Sequence, residues 1–222
     1  MNSVKVGLLT IGQSPRDDVV PEIKPHFLSH IKIVEAGLLD ELTHEEIEHL
    51  KPKSGETPLV TRLRDGSQVQ LSEKKISSLL PDVLNSIKTK LNVQAVGVLC
   101  TNDFPKTRFP FPVIFPFDYL KFLITHILQT KNLGVVVPLE DQIKMVRKKW
   151  EKEKVIVVAK SPYTEGKSWE EIAQRFIQEK VEAIILDCIG YNIKDRQEIL
   201  SLLSAPVLLP RVLLASAINQ LL

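Results

Sequence analysis

Ala183-Ile184-Ile185-Leu186-Asp187-Cys188 is an almost wholly apolar run closed by one of the chain's two cysteines, and Ala95-Val96-Gly97-Val98-Leu99-Cys100 is a matching run closed by the other. Each is followed by a proline-bracketed apolar segment, Pro206-Val207-Leu208-Leu209-Pro210 and Pro112-Val113-Ile114-Phe115-Pro116. An apolar helical pattern comes next in both copies, from Arg211 and from Phe117. Short apolar runs bounded by turn residues and alternating with helices describe parallel strands buried on both faces. The carboxyl ends of such strands are where α/β folds carry ligands. Both thiols are therefore expected at strand ends, where chemistry is usually placed.

The repeat extends upstream. Val6-Gly7-Leu8-Leu9-Thr10 opens the first half as Leu133-Gly134-Val135-Val136-Val137 opens the second. Gly7 lies 93 positions before Cys100 and Gly134 lies 54 before Cys188, so the first half is longer by 39. The surplus falls in the mostly polar stretch 35–71. Two similar α/β lobes follow, 1–130 with that insertion and 131–210, joined at Lys131-Asn132, each with a mainly parallel sheet between helical layers.

Within the first half, Val4 to Ile11 reads as a strand. Ser14-Pro15-Arg16 reads as a capped helix start, with Pro15 at the first helical position and Asp17 and Asp18 in the first turn, running to about His30. Lys32 to Ala36 reads as a strand and Thr43-His44-Glu45-Glu46 as a capping box. Asp65-Gly66 between Val60–Leu63 and Gln68–Leu71 is a hairpin signal, and Ser72 caps a helix to about Leu91. Beyond the first cysteine strand, strands are expected near 112–115, 132–137, 154–159, 182–187 and 206–208. Helices are expected over 117–130, 139–151, 168–179, 192–203 and 211–221.

Composition removes several classes of function. The 29 basic and 27 acidic residues leave a formal charge of +2, which provides no basic field for nucleic acid. Apolar runs are short and interrupted, arguing against membrane residence, and the N-terminus enters a strand without a secretory signal, so a cytoplasmic protein with reduced thiols is expected. Two cysteines 88 positions apart fit neither a metal knuckle nor a CxxC motif. His26 and His30 lie four apart on one presumed helix but have no third ligand, so no metal is expected.

Thr10-Ile11-Gly12-Gln13-Ser14-Pro15-Arg16, Gly134-Val135-Val136-Val137-Pro138 and Leu186-Asp187-Cys188-Ile189-Gly190, with the cysteine-strand repeat, resemble the AroM family over essentially the whole chain. That family stands beside the aspartate/glutamate/hydantoin racemases. The resemblance implies two racemase-like lobes, with 211–222 packing back to complete the first. It also implies two cysteines on opposite sides of an interlobe cleft, acting without metal or organic cofactor on a carbon beside a carboxylate. One thiol removes a proton and the other delivers one to the opposite face. On this chain the two thiol positions fall on Cys100 and Cys188. Racemases commonly follow the first cysteine with Asn-Thr and the second with a polar pair such as Thr-His. Here Thr101-Asn102 and Ile189-Gly190 stand in those places, and no base adjoins Cys188.

An anionic substrate needs receptors. Gly12, Gln13, Ser14 and Arg16 combine backbone amides, a hydroxyl and a guanidinium in one turn. Thr101 and Asn102 stand directly beyond Cys100, Gly190 directly beyond Cys188, Glu140 in the first turn of a second-lobe helix, Tyr163 in a loop that could close the cleft, and Arg211 at the start of the last helix. Asp187 is expected to point away from Cys188 by the two-residue strand period. The expected function is a racemase- or isomerase-like enzyme using cysteine proton transfer on a small carboxylate-bearing metabolite. Two alternatives stay open: a non-catalytic binder or regulator of small anions that keeps the cleft, and covalent catalysis by Cys188. A homodimer could form through the exposed hairpin edge.

Overall fold

In the computed structural model, which describes residues 3–150 and 154–222, the internal repeat is a repeat of sheets. The first has the order β2 (Ile31–Gly37), β1 (Val4–Thr10), β5 (Ala95–Leu99), β6 (Val113–Ile114). The second has the order β8 (Lys154–Ala159), β7 (Asn132–Val137), β9 (Ala183–Leu186), β10 (Val207–Leu208). Every neighbouring pair in both is parallel. The registers coincide: Val6 faces Ala95 in one sheet, Leu133 faces Ala183 in the other, and the residue after each alanine bonds the carbonyl of Pro112 or Pro206. Cys100 and Cys188 therefore occupy corresponding positions just beyond corresponding strands.

Each sheet buries both faces, which is why its central strands read as continuous apolar runs. On the first, Leu9, Val96 and Val98 pack under Ile76, Leu80 and Leu84 of α3 (Glu73–Leu91), while Val6 and Leu8 face Leu214 and Ile218 of α8 (Pro210–Asn219). On the second, Val136, Ile184 and Leu186 meet Ile172 and Phe176 of α6 (Trp169–Gln178) and Ile199 of α7 (Ile193–Leu202). Its other face holds Val146 and Trp150 of α5 (Ile143–Trp150). It also holds Phe117, Leu120 and Ile124, which lie on α4 (Pro116–Phe122) and its π-helical continuation to Leu128. The helix that follows the first sheet thus packs on the second, and the helix that follows the second packs on the first. Each such buried aliphatic or aromatic side chain contributes about 1.5–3 kcal/mol, so the exchange fastens the lobes to each other.

The insertion holds α2 (His44–His49), whose Thr43–Glu46 capping box is present, and the antiparallel hairpin β3 (Pro58–Arg62) and β4 (Gln68–Ser72) around Asp65-Gly66. Ser72 precedes α3 but makes no side-chain capping bond. The helix expected from Ser14 to His30 does not form. Residues 14–18 are irregular, and the only helix is α1 (Val20–Ile23), which passes into a single 3₁₀ turn, Lys24–His26. Pro25 lacks the N–H that a longer helix would need there, and Ser14 turns its amide and hydroxyl to Asp40 instead of capping. The helix expected over 139–151 is a 3₁₀ turn at Glu140–Gln142 followed by α5, with residue 151 outside the described residues.

Candidate functional site

β5 and β9 end one residue and two residues before their cysteines, and both cysteines line one small cavity between the lobes. Cys100, Thr101 and Asn102 line it from the first lobe, and Val137, Gln142, Met145, Lys149, Asp187 and Cys188 from the second. Leu59 and Val60 of the inserted hairpin form part of its wall, and Gln142 Nε2 donates to the Pro58 carbonyl at 3.0 Å, so the hairpin spans from one lobe to the other. The cavity measures about 40 Å³. A single water needs about 10–15 Å³, so there is room for little beyond solvent.

Lys149 and Asp187 form a buried ion pair in the wall, 3.0 Å apart with side chains only 5% and 2% exposed. The ammonium also donates to the Thr101 carbonyl at 2.7 Å and stands 4.4 Å from the centre of the Phe117 ring. One cation thus binds the residue after Cys100 and the residue before Cys188. The matching carbonyl after Cys188, that of Ile189, is held by Arg211 at 2.7 Å, together with the Gly190 carbonyl at 2.8 Å. Arg211 is paired in turn with Glu22 at 2.9 Å.

Burial dominates both thiols. It pushes Cys100 up to about 12, against the opposing hydrogen bond from the Asn102 amide. It also raises Cys188, against the Gly190 amide, the Arg16 guanidinium and the Tyr163 hydroxyl. The Gly190 N–H to Cys188 Sγ distance is 3.4 Å. A side chain on Gly190 would collide with the Tyr163 hydroxyl and come within 2.9 Å of Pro162, so only glycine lets that loop lie on the cysteine turn.

The sequence-derived candidates divide by place. Thr101 and Asn102 line the cavity, and Gly190 and Tyr163 lie against Cys188. The Gly12–Arg16 turn lies outside the cavity wall, and Ser14 and Arg16 donate to the protein's own carboxylates. Ser14 bonds Asp40 through its amide (2.7 Å) and hydroxyl (2.6 Å), and the Arg16 amide bonds Glu35 (2.7 Å). Gln13 bridges the Leu39 carbonyl and the Arg64 amide, and the Gly12 carbonyl accepts from Leu39. The Arg16 side chain, 2% exposed, is bidentate on Asp18 at 2.7 and 2.8 Å and reaches Thr10 and the Tyr163 hydroxyl at 3.0 and 3.3 Å. Glu140 is exposed and paired with Lys167, and Arg211 is fully buried beneath the Cys188 turn.

Three polar wall residues were not among the candidates from sequence: Gln142, Lys149 and Asp187. Gln142, Met145, Val146 and Lys149 fall at i, i+3, i+4 and i+7, one face running through the 3₁₀ turn into α5. A lysine closing such a stripe was the available signal. Asp187 corrects the expectation that it points away from Cys188. β9 ends at Leu186 and the Cys188 amide bonds back to the Leu186 carbonyl at 2.8 Å, so the chain turns at Asp187 and strand alternation no longer applies. Among the described residues no group of histidine, cysteine and carboxylate side chains could hold a metal ion, and no helix is long and apolar enough to cross a membrane.

Paired parallel sheets with a cysteine beyond corresponding strands of each, facing one interlobe cavity, define a racemase-like two-lobed α/β protein. Residues 6–222 match the AroM protein family, to which the chain belongs. Its fold is similar to that of maleate isomerase Iso from Pseudomonas putida S16 (TM-score 0.63, 13% identity, covering 99% of this chain and 93% of that one). It is also similar to glutamate racemase from Francisella tularensis subsp. tularensis SCHU S4 in complex with D-glutamate (0.57, 13%, 100% and 81%). A third similar fold is allantoin racemase from Pseudomonas fluorescens (0.58, 14%, 98% and 92%). No curated protein sequence matches the chain.

Proposed function

We propose that this protein is a racemase- or isomerase-like enzyme that moves a proton on a carbon beside the carboxylate of a small metabolite, using Cys100 and Cys188 from opposite sides. The observation that carries this reading is that two thiols at corresponding positions of two repeated sheets share one cavity. Two-sided proton transfer is the chemistry that needs one acid–base group from each half of such a repeat. Folds of this kind include a glutamate racemase holding D-glutamate, which supports a carboxylate-bearing substrate. Thr101 and Asn102 supply polar contacts on the Cys100 side.

A second reading, a small-anion binder without turnover, is favoured by the small cavity and by Ile189-Gly190 following Cys188 in place of a base. Solvent deuterium incorporation into a panel of amino, hydroxy and unsaturated dicarboxylates separates the two. Exchange that is abolished by both Cys100→Ser and Cys188→Ser supports two-sided proton transfer. Thermal stabilisation by a panel member without exchange supports binding alone.

A further inference from the structure

Among the residues that line the cavity, Lys149 is the one cation and Asp187 the one carboxylate. They stand 3.0 Å apart and almost unexposed, so the wall carries one charge of each sign and no net charge. The cavity volume of about 40 Å³ is that of about three waters, the size of a carboxylate group. An ionised carboxylate entering alone would set two negative charges against a single ammonium in a buried space. Burial of a charge without a counter-charge is strongly disfavoured, and carboxylates that share one site share a proton instead.

The contacts of the pair allow an exchange of partners. Apart from Asp187, the Lys149 ammonium donates to the Thr101 carbonyl at 2.7 Å and lies 4.4 Å from the centre of the Phe117 ring, which keeps it at the wall. Among the described residues the Asp187 carboxylate accepts from Lys149 alone, at 3.0 and 3.2 Å. A proton on Asp187 therefore disturbs no other bond. The two thiols line the same cavity, and burial raises both, Cys100 to about 12, so near neutrality they stay protonated and uncharged. The other charged and titratable neighbours are tied elsewhere. Glu73 accepts from Asn102 Nδ2 at 3.2 Å, Arg211 pairs with Glu22 and Arg16 with Asp18. The Tyr163 hydroxyl accepts from Arg16, and the Tyr191 hydroxyl donates to the Lys160 carbonyl.

We infer that the cavity takes up a small carboxylate together with one proton: the carboxylate pairs with Lys149, and Asp187 accepts the proton and becomes neutral. This rests on the reading of the cavity as the place where a substrate carboxylate is held, and it adds the receptor and the form in which the ligand is bound. One anion and one proton enter and nothing leaves, so the buried space is as neutral after binding as before. Lys149 exchanges one carboxylate partner for another, and the protonated Asp187 gains an O–H that can donate to the ligand.

The test is calorimetric titration of the full chain with sodium formate between about pH 6.5 and 8.5, at constant ionic strength, in phosphate and in Tris. A free carboxylate is ionised throughout that range, so a proton taken up on binding comes from the buffer and shows as a difference in heat between the two. The wild type is expected to take up about one proton per formate and to bind about tenfold more weakly for each unit of rising pH. Asp187→Asn leaves Lys149 without its counter-charge and is expected to bind formate with no proton uptake and with an affinity indifferent to pH. Lys149→Met combined with Asp187→Leu removes both charges and is expected to bind none. Absence of formate binding by the wild type, binding without proton uptake, uptake that persists in Asp187→Asn, or binding retained by the double variant overturns the inference. The wild-type titration decides alone where a variant does not fold. If a dicarboxylate exchanges deuterium and formate binds without a proton, the inference fails and the proton-transfer reading stands. If formate enters with its proton and no compound exchanges, the inference stands and the enzymatic reading fails.

Discussion

At the scale of single residues, the buried ion pair between Lys149 and Asp187 is the most exposed to test. Removing one member leaves the other charge buried without a counter-ion, which costs about 3–5 kcal/mol, whereas replacing both with apolar groups is often neutral. Lys149→Met is therefore expected to lower the urea midpoint strongly, and Lys149→Met combined with Asp187→Leu to recover much of the loss. Additive losses in the double variant would show that the two side chains do not act as a pair. Asp18 gives a second residue-scale prediction. Burial alone would raise its carboxyl, but the hydrogen bonds from Arg16 outweigh that and hold it below the ordinary range. A carboxyl lowered by folding adds stability above its unfolded value, near about 3.9, and that stability is lost as pH falls through the folded value. The stability gap between the wild type and Asp18→Asn is expected to be widest near neutrality and to shrink in acid.

Among the elements, the inserted hairpin matters most, since it walls the cavity and is anchored beneath by the Gly12 turn. A Cβ at Gly12 would strike the Arg62 carbonyl and come within 3.0 Å of Thr61 Cγ2. Backbone cannot yield as a flexible side chain does, so Gly12→Ala is expected to push β3 outward at a cost of about 1–3 kcal/mol. Amide hydrogen exchange over 58–62 should accelerate while β7 and β9 stay protected. Unchanged protection of β3 would mean that the hairpin is anchored elsewhere. The Asp65-Gly66 hairpin and the Thr43 capping box were both legible in the sequence, because a few neighbouring residues specify them. The segment after Ser14 was misread for the same reason. Its Ser-Pro start obeys local helix-capping rules, while Asp40, 26 positions away, binds the Ser14 amide and hydroxyl and holds the side chain away from the helix start.

Across the molecule, burial of the thiols is expected to weaken the fold in alkali. Cys100 is raised by folding from the ordinary thiol range near 9 to about 12, and Cys188 and Tyr163 move in the same direction. A group raised by folding contributes stability that is complete below its unfolded value and lost as pH climbs toward the folded one. The loss is about 1.4 kcal/mol per pH unit for each fully shifted group. Chemical denaturation between pH 8 and 11 is expected to show declining stability, with a shallower decline in Cys100→Ala and shallowest in the variant lacking both thiols. A slope indifferent to the cysteines would place the alkaline sensitivity in the tyrosines.

By itself the sequence determined the two sheets, their equivalence and the position of a cysteine beyond a corresponding strand in each. Strand burial and turn chemistry are written in runs of a few residues, and a repeat announces itself twice. Tertiary structure alone decided that the helix after the first sheet covers the second, that Lys149 and Asp187 line the cavity with the thiols, and that Ser14 and Arg16 donate to Asp40, Glu35 and Asp18. Those outcomes depend on charges brought together from distant positions and on a chain turn that ends the strand alternation at Asp187. Burial energies and ion pairing act through space, and no window of neighbouring residues encodes them.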